Sequence, residues 1–392
     1  MKIRSSLRSH NLSILLSIWV YIYAIFYFVP LIIRSHTLLM YFVLLALAIL
    51  TLFNTITIRR SLVIFIACYL ALVLINIIAV SYPYYVALDA LSGLAVFLPA
   101  LLTISSHFFN LIDFSYTWFR AAIFSTIITP LAIILMQKKY IDYGVFTYLN
   151  LPNAIIFSYI ALITKRKDMK NFCYLLALLN FVVILLLGGR MAAFAAAFTI
   201  LASYLLSQNT KFINKASLFI LLIFVSILVL FNLDELLYDI QNLLTKYNLK
   251  SRSIALLIEQ LKTHGTSVYL SGRNIVYNET LNYISSRYGL PGGFGVSLAV
   301  TDGKYYHPHN LVLQLSAMLG IYGMIIFLFL IIIKISSYKK SYKKNDYQFV
   351  TLLLLDYFVI SLTGGSILTN YAAIIGIGML FFYQPNRIDY NI

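Results

Sequence analysis

Long apolar runs recur along the whole 392-residue chain, and they constrain its fold more than any other feature. A helix needs about 20 consecutive apolar residues to cross a bilayer, where every backbone polar group must be satisfied within the protein. Twelve runs are predicted as spans: 12–33, 37–58, 62–80, 86–105, 118–136, 149–164, 172–187, 191–207, 216–232, 311–333, 348–363 and 367–383. The predicted fold is therefore all-α, a polytopic integral membrane protein with about 12 transmembrane helices.

Composition excludes the other broad classes of protein. Hydrophobic residues make up 61% of the chain and charged residues only 11%, whereas about 25% of an average soluble domain is charged. A chain this apolar is not disordered, and two cysteines cannot staple a disulfide scaffold.

The net charge of +16 is explained by membrane orientation. With the N-terminus placed inside, the inner segments hold 17 Lys and Arg residues and the short outer connections hold 4. Cytoplasmic loops collect basic residues, so both termini are predicted to be cytoplasmic. Most of the excess charge is thus assigned to topology, and nucleic acid is not an expected partner.

The spans divide the chain into three predicted regions. Residues 1–232 form transmembrane helices 1–9. Residues 233–310 form one large external loop with amphipathic helices. Residues 311–392 form helices 10–12 and a cytoplasmic C-terminus. The loop is the largest segment outside the predicted spans, so it is the expected place for a folded extramembrane element.

The external loop contains a predicted helix followed by a glycine-rich turn. The helix runs from about Gly272 to Arg287, is capped by Ser271, and has Ile275, Leu281 and Ile284 as its apolar stripe. The turn that follows contains three candidate substrate-binding glycines: Gly292, Gly293 and Gly295. Two interpretations are open, a simple helix terminator or a backbone surface that a ligand approaches closely.

The loop ends in His307-Pro308-His309-Asn310. Pro308 restricts the backbone, and Asn310 is well placed to cap the helix that begins at Leu311. A histidine near an interface is usually solvated, but two that flank a proline at the mouth of a membrane helix are also candidates for catalysis or ligand binding.

Basic residues on the outer side run against the topological bias. Arg190, Arg273, Lys138 and Lys139 are the candidates for binding an anionic ligand. Each could instead be solvated or reach towards lipid phosphates. A guanidinium binds phosphate in a bidentate manner, so the two arginines suit a diphosphate. Asp89 lies within a span, where a carboxylate has either a structural partner or a catalytic role.

Several motifs are absent from the sequence. It has no Walker-type glycine loop for ATP, no Asp-x-Asp pair on the outer side for a metal-bound sugar nucleotide, and no His-Glu-x-x-His for zinc. No cofactor and no metal site are predicted.

Taken in order, these features resemble the O-antigen polymerases and ligases of bacterial surface-polysaccharide assembly (Wzy and WaaL types). The resemblance covers mainly residues 150–333 and rests on five groups of residues: Leu151-Pro152-Asn153, Gly188-Gly189-Arg190, Ser271-Gly272-Arg273, the turn at 292–295, and His309-Asn310 before Gly320 and Gly323. Each motif is weak alone, and their order and sidedness make the match specific.

The resemblance implies a metal-independent glycosyltransferase at the outer face of the bacterial cytoplasmic membrane. Its donor and acceptor would be undecaprenyl-diphosphate-linked glycans, with a chain-length regulator and a flippase as further partners. Arg190 and Arg273 would hold the donor diphosphate and stabilise its charge. His309 would activate or orient the acceptor hydroxyl, with His307, Asp302 and Glu279 as alternatives.

Two other functions remain open at this stage. An O-antigen ligase would transfer the glycan to lipid A-core, and we favour the polymerase over it. A polysaccharide flippase or other secondary transporter would also have about 12 spans. Such carriers often contain internal repeats, and none is evident here.

Overall fold

The structure is a computed structural model that describes residues 2–28, 36–55, 58–139, 142–207, 233–249, 251–264, 273–305, 307–362, 367 and 370–384. Every regular element in these residues is a helix, as predicted. The ninth predicted span, 216–232, and the predicted cap Ser271 lie outside the described residues.

Among the described residues, nine helices precede residue 208. They are α1 (Lys2–Val20), α2 (Ile22–Phe28), α3 (His36–Asn54), α4 (Arg60–Ala79), α5 (Pro83–Ser105), α6 (Leu111–Gln137), α7 (Gly144–Ile163), α8 (Lys167–Leu187) and α9 (Arg190–Leu206). Seven follow residue 232 in the described ranges: α10 (Leu233–Lys246), α11 (Arg252–His264), α12 (Arg273–Ser286), α13 (Val296–Val300), α14 (Leu311–Ser341), α15 (Lys344–Ser361) and α16 (Tyr371–Phe382).

Six of the described helices are long and apolar enough to cross a membrane: α4, α5, α6, α7, α8 and α14. A seventh span results if α1 and α2, which are bent by 56° at their junction, are counted together. Three shorter apolar helices coincide with other predicted spans, namely Tyr41–Asn54 of α3, α9 and α16. The chain is therefore an all-helical membrane protein.

The chain divides into two compact units. The first comprises Met1–Val20, Thr37–Thr117 and Leu270–Ile392, and the second comprises Tyr21–His36 and Trp118–Tyr269. In the first unit α5 packs against α1, α4, α13 and α16, and α14 packs against α12. In the second unit α7 packs against α2, α8 and α9.

Helix α7 is the buried centre of the second unit, although its sequence has the weakest pattern among the predicted spans. The structure buries nearly all of its residues, including Asn150 and Asn153. Asn153 accepts a 2.5 Å hydrogen bond from the Tyr21 hydroxyl and donates to Asn180 Oδ1 at 2.9 Å. Interhelical hydrogen bonds of this kind join membrane helices where an unpaired polar group is costly.

The predicted helix after Gly272 is confirmed as α12, but its predicted apolar stripe is wrong at two of three positions. Ile275 and Leu281 are exposed. Val276, Thr280 and Ile284, spaced by four residues, are buried instead. Residues four apart share one face of a helix, and this face includes a threonine whose hydroxyl bonds to the Val276 carbonyl within α12. A threonine whose hydroxyl bonds within its own helix can be buried, but a pattern of apolar residues does not predict that it is.

Candidate functional site

Helix α14 is broken at Gly320, and the glycine-rich turn fills the break. Gly320 has φ 73° and ψ 165°, which interrupts the helical hydrogen bonds. Three backbone hydrogen bonds replace them: Gly292 N–H to the Ala317 carbonyl at 2.8 Å, Gly293 N–H to the Met318 carbonyl at 2.9 Å, and Ile321 N–H to the Gly289 carbonyl at 3.0 Å. Backbone groups at this break are thus satisfied by the chain itself.

The opposite side of the turn is bound by the end of α4 and the start of α5. Three side-chain hydrogen bonds join them: Phe294 N–H to Asn76 Oδ1 at 3.1 Å, Gly295 N–H to Asp89 Oδ2 at 2.9 Å, and the Tyr82 hydroxyl to the Gly292 carbonyl at 2.7 Å. Burial raises the pKa of the Tyr82 phenol, which keeps the hydroxyl protonated as a donor. Asp89 therefore has a structural partner.

Glycine is required in this turn because the chain's own atoms approach it closely. A Cβ atom on Gly293 would lie 1.5 Å from Asn76 Oδ1, and one on Gly295 would lie 2.4 Å from the Tyr85 carbonyl. Both glycines have positive φ, 82° and 71°. The N–H groups of residues 292–295 all donate within the chain. These contacts favour the structural interpretation of the turn, and substrate binding by Gly292, Gly293 and Gly295 stays a prediction.

The two histidines at the end of the loop lie against each other. The ring centroids of His307 and His309 are 4.4 Å apart, and both residues are half-buried. His309 has φ 56°, a left-handed conformation that costs energy for a residue with a Cβ. Asn310 caps α14 as predicted, since its Oδ1 accepts from Leu313 N–H at 3.1 Å. Backbone strain at a polar residue is typical of a functional site.

Helix α12 connects Arg273 to this histidine. The described helix begins at Arg273, and four residues later the Tyr277 hydroxyl donates to the His309 carbonyl at 3.3 Å. Positions four apart lie on the same face of a helix. Arg273, Tyr277 and His309 all belong to the first unit. The fold thus links α12, through Tyr277, to the segment that contains His309.

Arg190 belongs to the second unit and begins α9. Helix α8 ends at Leu187 and Gly188-Gly189 separates it from α9, so the predicted break between two helices is confirmed. Gly189 N–H donates to Thr147 Oγ1 at 2.8 Å, which fixes the entry to α9. The half-buried Arg190 carries its cation at the positive end of the helix dipole, where an anion is favoured and a cation is not.

Lys138 and Lys139 lie at a helix C-terminus, whereas Arg190 lies at a helix N-terminus. They follow the last residue of α6, and their N–H groups bond to the carbonyls of Ile134 and Met136. Both side chains are exposed. Cations are stabilised near a helix C-terminus, so the position of the two lysines has a structural explanation. Their role in substrate binding stays a prediction.

The remaining acid and base candidates are dispersed. Glu279 is half-buried on α12, and Asp302 is exposed in the turn after α13 with φ 49°. Within the ranges that the structure describes, no three His, Cys, Asp or Glu residues cluster closely enough to hold a metal ion. Metal-independent chemistry remains a prediction.

Sequence reasoning missed the residues that support the site. Asn76, Tyr82 and Tyr277 had no assigned role, and Asp89 had two open ones. Each bonds to a partner distant in sequence, up to 218 positions away for Asn76 and Phe294. The only signal for Asn76 and Tyr82 was their position near the end of a predicted span, and Tyr277, inside the predicted loop, had none.

The fold and these residues define a polytopic helical membrane protein with an arginine- and histidine-bearing loop segment. Residues 175–328 match the family model described as O-antigen ligase (Wzy_C), which confirms the predicted resemblance. The matched residues include Arg190, Arg273, the glycine-rich turn and both histidines. The match supports a role in polysaccharide assembly in general and does not separate polymerases from ligases. No curated protein sequence matches the chain significantly.

Proposed function

We propose that this protein polymerises undecaprenyl-diphosphate-linked oligosaccharide repeat units, of O-antigen or capsule, by metal-independent glycosyl transfer at the outer face of the cytoplasmic membrane. The observation that carries the proposal is the left-handed backbone of His309, held between Pro308 and the helix cap Asn310 and bonded to Tyr277. Strain of this kind persists only where the surrounding structure enforces it.

In the proposed reaction the acceptor hydroxyl oxygen attacks the anomeric carbon of the donor sugar. The bond from that carbon to the diphosphate breaks, and undecaprenyl diphosphate leaves with the bonding electron pair. The imidazole of His309 accepts the hydroxyl proton, with His307 beside it. The lipid diphosphate is already an activated leaving group, so no sugar nucleotide is needed at this step.

Two arginines are proposed to bind the negative charge of the diphosphate. Arg190 begins α9 after Gly189, and the described part of α12 begins at Arg273. A helix N-terminus attracts an anion through its backbone N–H groups and its dipole, and a guanidinium at the same end adds a permanent charge. Both features favour a phosphate ligand, and they strengthen as charge develops on the leaving group.

We further propose twelve spans with both termini in the cytoplasm. Six long helices, the bent pair α1 and α2, and the three shorter apolar helices account for ten. Helix α15 coincides with the predicted span 348–363, and 216–232 is the remaining apolar run. The distribution of Lys and Arg, 17 against 4, supports the orientation.

One alternative is a ligase, which is favoured by the match to a family of O-antigen ligases. A transporter is the alternative outside it. Broken membrane helices often form transport sites, but the break in α14 is filled by the chain's own turn. This observation disfavours a transport site at Gly320.

The decisive experiment supplies purified protein with lipid-linked repeat unit alone. Chain growth supports a polymerase. A product that forms only when lipid A-core is added would replace this proposal with a ligase. Translocation across vesicles without bond formation would replace it with a transporter.

The arginines are tested by Arg190→Ala and Arg273→Ala, each expected to lower chain growth about 100-fold or more. Arg287→Ala is the matched control, because this exposed arginine lies just after the opposite end of α12. If all three variants keep normal chain lengths, the proposed diphosphate binding is wrong.

A further inference from the structure

Helix α14 continues well past its apolar segment as a basic end. The apolar run stops at Ile333, and the helix extends eight residues further, through 334–341. This extension and the residues after it carry five lysines: Lys334, Lys339, Lys340, Lys343 and Lys344. All five are exposed. We call residues 334–344 the basic end.

Stacked tyrosines hold the basic end in one geometry. The rings of Tyr338 and Tyr342 stack at 3.8 Å with an interplanar angle of 8°, and the Tyr342 hydroxyl donates to the Tyr383 carbonyl at 2.8 Å. Lys334 lies over the Phe381 ring at 5.3 Å. The chain around the end of α16 therefore fixes the helix that carries the lysines.

A buried arginine lies beside the same segment. Arg59 is only 8% exposed, and its guanidinium donates to the carbonyls of Phe382 at 3.2 Å and Gln384 at 3.4 Å. These acceptors flank Tyr383, which binds Tyr342 of the basic end. The third guanidinium nitrogen, Nε, is also buried, and its N–H has no hydrogen-bond partner in the structure as described.

Arg59 is thus a buried cation bonded only to neutral carbonyls among the residues described here. Burial lowers its pKa, but a guanidinium remains charged at neutral pH. Burial lowers the pKa of the nearby His107 imidazole, and the positive charge of Arg59 lowers it further. A buried charge with an unsatisfied donor is costly unless an anion compensates it.

We propose that Arg59 and the basic end form a binding site for the phosphate headgroup of an anionic phospholipid. The site combines a buried guanidinium whose Nε–H has no partner, five exposed lysines, and tyrosines typical of the interface between membrane and water. It begins where the apolar run of α14 ends, the level at which headgroups lie. This site is independent of the proposed glycosyl transfer.

Orientation alone does not account for these features. Membrane topology depends on the number of basic residues in a loop and makes no use of their geometry. The segment 164–170, which leads into α8, also carries four basic residues, Lys165, Arg166, Lys167 and Lys170. It therefore provides a matched control for charge.

The test uses the full chain in nanodiscs of phosphatidylcholine, with or without phosphatidylglycerol, and measures lipids retained by native mass spectrometry together with the thermal unfolding midpoint. We expect phosphatidylglycerol to be retained in preference and to raise the midpoint. Lys343→Gln/Lys344→Gln should weaken that retention by about 25-fold, since each lysine near an anionic surface contributes about fivefold. Arg59→Gln should reduce it further.

The control Lys165→Gln/Arg166→Gln removes the same charge from exposed positions and measures the general effect of charge, so it should weaken retention clearly less than Lys343→Gln/Lys344→Gln. Equal losses in the control, or no preference for phosphatidylglycerol in the wild type, would overturn the proposal. Stabilisation by inorganic phosphate in phosphatidylcholine discs, to the same extent as by phosphatidylglycerol, would show an anion site that is not specific for lipid and would also overturn it. If Arg59→Gln does not fold, the lysine variant decides.

Discussion

The backbone N–H of Gly295 donates a hydrogen bond of 2.9 Å to the Asp89 carboxylate, which lies 206 positions earlier in the chain. This bond ties the glycine-rich turn of the loop to a membrane helix, α5. The same turn supplies the hydrogen-bond partners for the broken part of helix α14, and the N-terminus of α14 follows His309. The geometry of the candidate site therefore depends on a hydrogen bond between residues that are far apart in the sequence.

Asp89→Ala should destabilise the protein by about 1–3 kcal/mol, because it leaves the Gly295 N–H buried without an acceptor. Asp89→Asn keeps an acceptor oxygen of similar shape, so it should lose clearly less. Chemical unfolding in detergent measures both. Equal stability of the alanine variant and the wild type would show that this bond does not hold the turn.

Gly295→Ala should lower the free energy of unfolding by at least about 2 kcal/mol. The left-handed backbone costs an alanine about 1–2 kcal/mol, and its Cβ would meet the backbone of Tyr85. Gly323→Ala is the control, since the backbone of Gly323 is helical. A Cβ atom there would lie 3.0 Å from the Leu319 Cβ and would not meet the backbone of another segment. A Gly295→Ala variant that keeps its stability but loses polymerisation would favour the ligand-binding interpretation of the turn.

His309→Asn separates backbone strain from acid–base chemistry. Asparagine adopts the left-handed conformation readily, so we expect near-normal thermal stability with polymer synthesis lost. The measurement pairs an unfolding midpoint with a chain-length assay. A variant that unfolds easily would mean that the imidazole is needed for packing, and one that still polymerises would exclude His309 as the base.

Tyr277→Phe removes only the hydroxyl that bonds to the His309 carbonyl. We expect kcat to fall about two- to tenfold with KM nearly unchanged, because a neutral hydrogen bond contributes about 0.5–1.5 kcal/mol and this one positions the proposed base. Tyr322→Phe, at an exposed tyrosine, should change neither. A rise in KM alone would place Tyr277 in substrate binding instead.

Asn153→Leu should destabilise the second unit by more than Tyr21→Phe. The leucine removes donors to Ser125 Oγ at 3.1 Å and Asn180 Oδ1 at 2.9 Å as well as the acceptor for Tyr21, whereas the phenylalanine removes only the last. Interhelical hydrogen bonds in membranes average about 0.6 kcal/mol each. Thermal unfolding in detergent ranks the two variants, and the reverse order would show that the network contributes little.

The sequence was sufficient for the helical class, for the six spans now seen as α4, α5, α6, α7, α8 and α14, and for the family resemblance. Apolar length and glycine breaks act locally, which is why α4, α5 and α8 and the separation at Gly188-Gly189 follow the predictions. The family resemblance rested on the order of motifs, and the match to residues 175–328 confirms it.

The features that the sequence did not predict depend on tertiary contacts. Asn150 and Asn153 weakened the apolar pattern of α7, yet their bonds to other helices are the reason that polar residues can be buried there. Thr280 concealed the buried face of α12 for a related reason. The turn could be interpreted in two ways because Asn76 and Asp89, which bind it, lie far away in the sequence.

The break at Gly320 also bears on how the chain is made. Residues 289–295 leave the ribosome before α14 does, so the groups that satisfy the broken helix exist before the helix enters the membrane. A helix interrupted in this way inserts with its hydrogen-bond partners already synthesised. Reversing that order, as in a circular permutation that places α14 ahead of the loop, would expose the unpaired backbone to lipid during biogenesis.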